Sequence, residues 1–65
     1  MKILINDKDT ETASANLHEL AAELKLADKG VAIALNGVMV QRDSWKSALL
    51  NENDKVIIIK AVCGG

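Results

Sequence analysis

The chain lacks proline, phenylalanine and tyrosine, and it has a single cysteine, a single histidine and a single tryptophan. Cys63 has no partner for a disulfide within the chain, and Cys63 together with His18 supplies too few ligands for a zinc site. Because Trp45 is the sole aromatic residue, the core must be built mainly from aliphatic side chains. Stability therefore has to come from packing.

An excess of charge of one sign is also missing, because eight Lys and Arg residues are mixed with nine Asp and Glu residues, for a formal net charge of −1. Without a basic cluster, we expect no nucleic-acid partner. No apolar run approaches the roughly 18 residues that cross a bilayer, and "MKILIND" is too short for a signal peptide. We therefore expect no membrane association, a cytoplasmic location and a monomer when the protein is free.

The 65 residues suffice for one small domain, and 49% of them are apolar. A domain of this size buries only about 60% of its unfolded surface, which leaves little interior for an elaborate active site. Five segments have the alternation or β-branched composition of strands: "MKILIN", "TETAS", "VAIALN", "VMVQ" and "KVIIIKAV". The second is weakly apolar, which places it at a sheet edge.

The segment "NLHELAAELKL" predicts the main helix. Asn16 is suited to the N-cap, with Glu19 closing a capping box, and Gly30 is suited to the left-handed conformation past the helix end. The apolar stripe has helical spacing and consists of Leu17, Leu20, Ala21 and Leu24.

Two turns and one short helix complete the pattern. Asn36-Gly37 predicts a type I′ hairpin turn, and Asn53 is suited to a left-handed turn position. In "RDSWKSALL" we expect a single helical turn from Asp43 or Ser44. The order of elements predicts an α+β roll: one mixed sheet of about four to five strands, with the main helix on one face and the first and last strands paired in parallel.

A sheet covered by one helix leaves its other face open. In the last strand, Val56 and Ile58 are expected to face the core, which turns Ile57, Ile59 and Ala61 outward. They would lie beside Leu4 of the first strand, and also beside Ala32 and Ala34. Such a contiguous apolar set is typical of an interface, so we predict a partner-binding patch; cover by "RDSWKSALL" is the alternative.

The last strand leads into the tail Val62, Cys63, Gly64 and Gly65, which we expect to be flexible after a domain spanning residues 1–61. Glycine lacks Cβ, so a terminal carboxylate preceded by Gly64 can pass through a narrow channel. A carboxylate becomes a good electrophile only when activated, for example as a mixed anhydride with AMP. The chain has no glycine-rich phosphate loop, so another protein would have to handle ATP; a frayed terminus is the alternative.

Taken together, the opening "KILIN", the capped Leu-rich helix, "ALNGVMVQRDSW", an Asn/Asp turn and a final "VxGG" resemble the ThiS sulfur carriers of thiamine biosynthesis. The resemblance spans essentially the whole chain. Two positions depart from the usual family pattern, which often has proline where this chain has Gln41 and glycine where it has Asn53. Both replacements suit the local backbone and leave the fold intact.

This resemblance implies a β-grasp, ubiquitin-like fold and a role as a protein co-substrate that is not itself an enzyme. It implies that Gly65 is adenylated by a ThiF-type enzyme with ATP and magnesium, while this chain binds no cofactor of its own. The adenylate would become a thiocarboxylate with sulfur from a donor protein. That sulfur would pass to thiazole synthase, ThiG.

Three other functions share parts of this pattern. The small subunit of molybdopterin synthase uses the same chemistry but is generally longer and richer in phenylalanine. A ubiquitin-like protein modifier would end in an isopeptide bond, and a plain interaction module would not need Gly64 and Gly65. An enzyme is disfavoured, because Glu19 and Glu23 fit a solvated helix face and His18 has no triad partner at suitable spacing.

Three further residues have two interpretations each. Trp45 fits core packing better than a contact anchor, and Arg42 fits either partner docking or a surface salt bridge. Cys63 fits a small tail residue better than a sulfur nucleophile, because only Lys60 lies nearby in sequence to favour its thiolate.

Overall fold

The computed structural model describes residues 1–26 and 30–60, which form a five-stranded sheet with one α-helix packed on one face. The elements are β1 (Lys2–Ile5), β2 (Lys8–Glu11), α1 (Leu17–Glu23), β3 (Val31–Leu35), β4 (Val38–Val40), a 3₁₀ helix (Arg42–Ser47) and β5 (Lys55–Lys60). The strand order is β2-β1-β5-β3-β4, with β1 parallel to β5 and the other neighbours antiparallel. This confirms the predicted α+β roll with the first and last strands in parallel at its centre.

The first hairpin is tighter than expected. Asn6 and Asp7, at φ of 50° and 67°, form the whole turn, and Ile5 pairs directly with Lys8. Asn and Asp tolerate this left-handed region because their short polar side chains stabilise it locally. The edge strand predicted in "TETAS" is confirmed for Thr10 and Glu11, but pairing begins earlier, at Lys8, and β2 ends at Glu11. Its charged residues are accommodated because β2 is an edge strand.

The second hairpin confirms the Asn36-Gly37 prediction. The two residues have φ of 52° and 86°, which is the type I′ geometry, and they join Leu35 directly to Val38. A Cβ at Gly37 would meet no heavy atom within 4 Å. Glycine is favoured there by the backbone angle and not by lack of space.

The helix begins as predicted. The Oδ1 atom of Asn16 accepts a hydrogen bond from the Glu19 N–H at 2.8 Å. The Glu19 carboxylate in turn accepts one from the Ala15 N–H at 2.8 Å. This arrangement is a capping box displaced by one residue, and it satisfies two backbone donors at the helix start.

The helix ends earlier than predicted. Lys25, and not Gly30, takes the left-handed conformation that ends it, with φ of 56°. Its N–H bonds the Ala22 carbonyl at 3.1 Å, and the Leu26 N–H bonds the Ala21 carbonyl at 3.0 Å, as in a Schellman motif. Leu24 consequently leaves the predicted apolar stripe and is 37% exposed, while Leu26 packs against the core in its place.

The core lies between α1 and the sheet. Its buried members come from β1, α1, β3, β5 and the segment containing the 3₁₀ helix and are Ile3, Leu17, Leu20, Ala21, Ile33, Trp45, Leu50 and Val56. The 3₁₀ helix starts at Arg42, slightly before the predicted turn, and packs beside α1 so that Trp45 enters this core. The segment "RDSWKSALL" therefore lies on the helix side of the sheet and does not cover the open face.

Candidate functional site

The strand β5 is the centre of the sheet and the element that leads toward the sequence's C-terminal glycines. Along its whole length it pairs with β3, from Val31 opposite Lys60 to Leu35 opposite Val56. Its pairing with β1 is shorter and covers only the first part of β5, where Leu4 lies opposite Lys55 and Ile5 opposite Val56. Beyond that point β1 has already turned into its hairpin.

A side chain continues the pairing where β1 stops. The Oδ1 atom of Asn6 accepts a hydrogen bond from the Ile58 N–H at 2.8 Å, and its Nδ2 donates to the Ile58 carbonyl at 3.3 Å. The backbone N–H of Asn6 also donates to the Val56 carbonyl at 2.9 Å. The amide group thus mimics one residue of a neighbouring strand and holds β5 two residues before its end.

A second asparagine secures the beginning of β5 from the opposite side. The Oδ1 atom of Asn36 accepts from the Lys55 N–H at 2.9 Å, and its Nδ2 donates to Asp54 at 3.1 Å. The Asp54 carboxylate also accepts the Asn51 N–H at 2.8 Å. We call the contacts of the Asn6 and Asn36 amide groups with β5 the two clamps. Sequence reasoning missed them, because each joins residues far apart in the chain, and only the turn-forming tendency of the asparagines was visible.

The open face carries an apolar surface centred on β5. Ile57 and Ile59 point away from the core and are 37% and 53% exposed, whereas Val56 is buried and Ile58 packs against the core. The pairing register extends this surface to β1 and β3 on either side of β5, and through β3 to β4. We define the open-face patch by its six residues on four strands: Leu4, Ala32, Ala34, Met39, Ile57 and Ile59.

The patch owes its shape to small neighbours. Ala32 lies opposite Ile59 and Ala34 opposite Ile57, so the two isoleucines stand above a low alanine strip. Met39 lies opposite Ala34 on the far side and is 59% exposed. Sequence reasoning missed Met39, although the alternation in "VMV" offered the signal.

A charged margin borders the patch on the β2 side. Lys2 lies opposite Glu11, and Leu4 lies opposite Asp9, so the same face turns from apolar to charged within two strands. Lys55, next to Leu4 in register, adds a positive charge at the margin. An apolar centre with a polar rim is the usual organisation of a surface that binds another protein.

Trp45 is a packing residue, as predicted. It is buried, and its Nε1 donates a hydrogen bond to the Val40 carbonyl at 3.0 Å. The guanidinium carbon of Arg42 lies 4.4 Å from the centre of its ring, in a cation–π arrangement. Neither residue belongs to the open face.

The two helix glutamates have separate structural roles. Glu19 forms the capping box, while the Oε1 atom of Glu23 accepts hydrogen bonds from the hydroxyls of Ser14 and Thr12, each at 2.6 Å. The bond from Ser14, followed by that from Thr12, lowers the pKa of Glu23. They are therefore not a paired acid and base, although the prediction of a merely solvated face missed the latch that Glu23 forms. His18 is exposed, as expected.

Across residues 1–26 and 30–60, no group of three or more His, Cys, Asp and Glu side chains is arranged to hold a metal ion. Neither helix in these two ranges combines the length and apolarity required to span a membrane.

The remaining predicted site residues lie outside the described residues. They are Ala61 of the predicted patch and the tail residues Val62, Cys63, Gly64 and Gly65. The boundary predicted between residues 1–61 and the tail falls there as well. These assignments stay predictions.

Comparisons with known proteins agree on one family. A sequence model of the ThiS family matches residues 3–65. The chain is 30% identical over 66 residues to the sulfur carrier protein ThiS of Escherichia coli (strain K12), with 100% of both chains covered. It is also similar to the crystal structure of thiamine biosynthesis protein ThiS from Geobacter metallireducens, at a TM-score of 0.82 and 28% identity over 100% of both chains. A solution structure of a thiamine biosynthesis protein from that organism gives the same TM-score of 0.82 and 28% identity, covering 100% of this chain and 88% of the other.

Proposed function

Because the chain belongs to the ThiS family, whose β-grasp fold it has, we propose that it is a sulfur carrier of thiamine biosynthesis with Gly65 as the loaded residue. The protein acts as a co-substrate: other proteins activate its end and take the sulfur from it. The match of the family sequence model through Gly64 and Gly65 supports this role.

The chemistry at Gly65 proceeds in two steps. First, a carboxylate oxygen attacks the α-phosphorus of ATP and pyrophosphate leaves, which gives an acyl adenylate. Second, a sulfur nucleophile, hydrosulfide in the simplest case, attacks the carbonyl carbon and AMP leaves, which gives a thiocarboxylate. Gly64 allows the activated end to lie in a channel too narrow for a side chain.

The resemblance to the ThiS sulfur carriers implies the partners of these steps. A ThiF-type enzyme binds ATP and magnesium and performs the adenylation, a donor protein supplies sulfur, and thiazole synthase, ThiG, accepts it. This chain binds no cofactor. Its own contribution is to be recognised and to present its end.

The observation that carries the proposal is the position of the open-face patch. Ile57 and Ile59 are neighbours of the tail in sequence, since β5 ends at Lys60 and Gly65 is five residues farther on. A partner seated on the patch is therefore within a few residues of the reactive carboxylate. The clamps at Asn6 and Asn36 hold β5 in register, so the patch is preorganised and less ordering is required on binding.

The adenylation step gives a direct test of this surface. We expect Ile59→Glu to lower kcat/KM for ATP–pyrophosphate exchange by a ThiF-type enzyme about tenfold or more, because a charge would face an apolar contact. Val38→Glu is the matched control: Val38 is 65% exposed on β4, outside the open-face patch. Equal activity of the two variants would exclude the patch as the docking surface.

The same assay separates the tail from the patch. Deleting Gly64 and Gly65 should abolish exchange while leaving the domain folded. A shortened chain that still supports exchange would show that adenylation does not need Gly64 and Gly65, whereas a full chain that supports no exchange would point to a plain interaction module. Sulfur transfer by the loaded chain in a complex with the large subunit of molybdopterin synthase, and not to ThiG, would instead assign it to the molybdopterin pathway.

A further inference from the structure

A shallow groove runs between α1 and the 3₁₀ helix, on the side of the sheet opposite the open-face patch. Two adjoining hollows make it up, and both are lined by His18 and Arg42. One hollow extends along the helix to Lys25 and Leu26, and the other extends to Asp43 and Lys46. Ala21, Ala22 and Trp45 form the remaining walls.

The groove has a charge opposite to that of the molecule. Lys25, Arg42 and Lys46 give three positive charges against the one negative charge of Asp43, a formal +2 with His18 neutral. The whole chain carries −1, so everything outside these four residues carries −3. Asp28 and Lys29, near the groove in sequence but outside the described residues, cancel each other formally.

This separation has a structural cause. The two glutamates of α1 are held away from the groove: Glu23 by the hydroxyls of Ser14 and Thr12, and Glu19 by the Ala15 N–H. Neither lines it. On the other side, the stacking of Arg42 on the Trp45 ring at 4.4 Å fixes the orientation of one cation.

We propose that this groove is a second interaction surface, which binds an acidic segment of another protein. The cations are spread along a groove instead of converging on one point, which suits a row of carboxylates better than a single small anion. Three cations beside an acidic residue, on an acidic molecule, are too few for nucleic acid, whose binding relies on many phosphate contacts. Alanines in the wall permit close approach of a peptide backbone.

The location of the groove adds a functional consequence. Because α1 covers one face of the sheet and the open-face patch lies on the other, a partner in the groove does not compete for the patch. A protein with an acidic segment can therefore bind the domain while its open face is occupied. This inference does not depend on sulfur chemistry at Gly65.

The test uses octaglutamate as the probe, titrated into the ¹⁵N-labelled full chain at low ionic strength. We expect saturable shifts of amide signals at His18, Lys25, Arg42 and Lys46, which weaken as salt is added. Lys25→Glu combined with Lys46→Glu should raise Kd about tenfold. Lys46→Glu alone, on the exposed 3₁₀ helix, should raise the Kd by a smaller factor. This single variant replaces the double variant in the test if the latter folds poorly.

The matched control is Lys8→Glu combined with Lys55→Glu, which changes the net charge equally at two exposed lysines outside the groove. Its Kd for octaglutamate should stay within about twofold of the parent value. Three results would overturn the proposal: equal weakening in both double variants, shifts centred elsewhere, or no saturable binding. Tighter binding of octauridylate RNA at the same residues would also overturn it in favour of a nucleic-acid site.

Discussion

At the scale of single residues, asparagine has two uses in this domain. Asn6, Asn36 and Asn53 all occupy left-handed backbone positions in turns. Asn6 and Asn36 also direct their amide groups onto the backbone of β5. A residue suited to turn geometry thus also orders β5, the strand at the centre of the open-face patch.

The amide clamp can be separated from the turn geometry by glycine. Asn6→Gly keeps a backbone suited to φ of 50° but removes the acceptor of the Ile58 N–H. We expect the Ile58 amide to exchange with solvent about fivefold faster, as loss of roughly 1 kcal/mol of hydrogen bonding implies. The measurement is native-state hydrogen exchange by NMR.

Asn53→Gly is the control for this experiment. Asn53 has φ of 69° and donates its backbone N–H to the Lys2 carbonyl, a bond that glycine retains. In Asn53→Gly, the Ile58 amide should exchange at the same rate as in the parent chain. If both variants raise the exchange rate of the Ile58 amide equally, the effect comes from glycine in turns, and the Asn6 clamp has no role of its own.

The hydrogen bonds to Glu23 should make the stability of the domain depend on pH. Its pKa is lowered from the ordinary value of 4.5, mainly by the Ser14 hydroxyl and then by that of Thr12. Because the pKa of Glu23 is lower in the folded state than in the unfolded state, its carboxylate contributes its full stabilisation at pH values above the unfolded-state pKa. This stabilisation is lost as the pH falls through the folded-state pKa. We expect the urea midpoint to fall on acidification below about 4.5, and to fall less in Glu23→Gln.

Ser14→Ala provides the check on the cause. Removing the largest contributor should move the pKa of Glu23 back toward its ordinary value, as read from the carboxyl carbon shift in an NMR titration. Parallel acid-unfolding curves for the parent chain and Glu23→Gln would show that the latch has no influence on acid stability.

At the scale of elements, the end of α1 is a position that the sequence pattern does not predict correctly. The periodicity predicts a helix continuing past Leu24, and glycine at position 30 suggests the stop. The helix instead ends at Lys25, because Leu26 can then pack against the core while the Schellman hydrogen bonds form. A tertiary contact outweighs the local preference of lysine.

This helix end carries a prediction for stability. Lys25→Gly should stabilise the domain by about 0.5–1 kcal/mol, because glycine adopts φ of 56° without the cost that a Cβ imposes. Lys25→Ala removes the same charge but keeps the Cβ, so it should give no such gain. Thermal or urea unfolding of the three chains decides the matter; equal stability of the two variants would mean that backbone strain at Lys25 is negligible.

At the scale of the whole molecule, the two faces of the sheet differ in burial, because only one of them packs against α1. Ile3→Ala and Ile59→Ala remove the same atoms from opposite faces, since Ile3 is buried in the core and Ile59 lies in the open-face patch. We expect the first to cost about 2–5 kcal/mol and the second less than about 1 kcal/mol. Urea unfolding measures both; comparable losses would mean that the open face is part of the folding core.

Much of this architecture was predictable from the sequence, and the exceptions have a common cause. The open-face positions of Ile57 and Ile59 follow from strand alternation, and the second hairpin follows from Asn36-Gly37. The clamp of Asn6 on Ile58 was not predictable, because it depends on which strands become neighbours. The true start of β2 was missed because its charged residues give no hydrophobic signal.

Whether Gly65 carries sulfur can be read from the intact mass of the chain. The protein is measured before and after incubation with ATP, magnesium, a ThiF-type enzyme and a sulfur source. We predict the mass change of one oxygen replaced by sulfur, located in the C-terminal fragment and absent when ATP is omitted. An unchanged mass, with an enzyme that loads another carrier in parallel, would show that Gly65 is not the loaded residue.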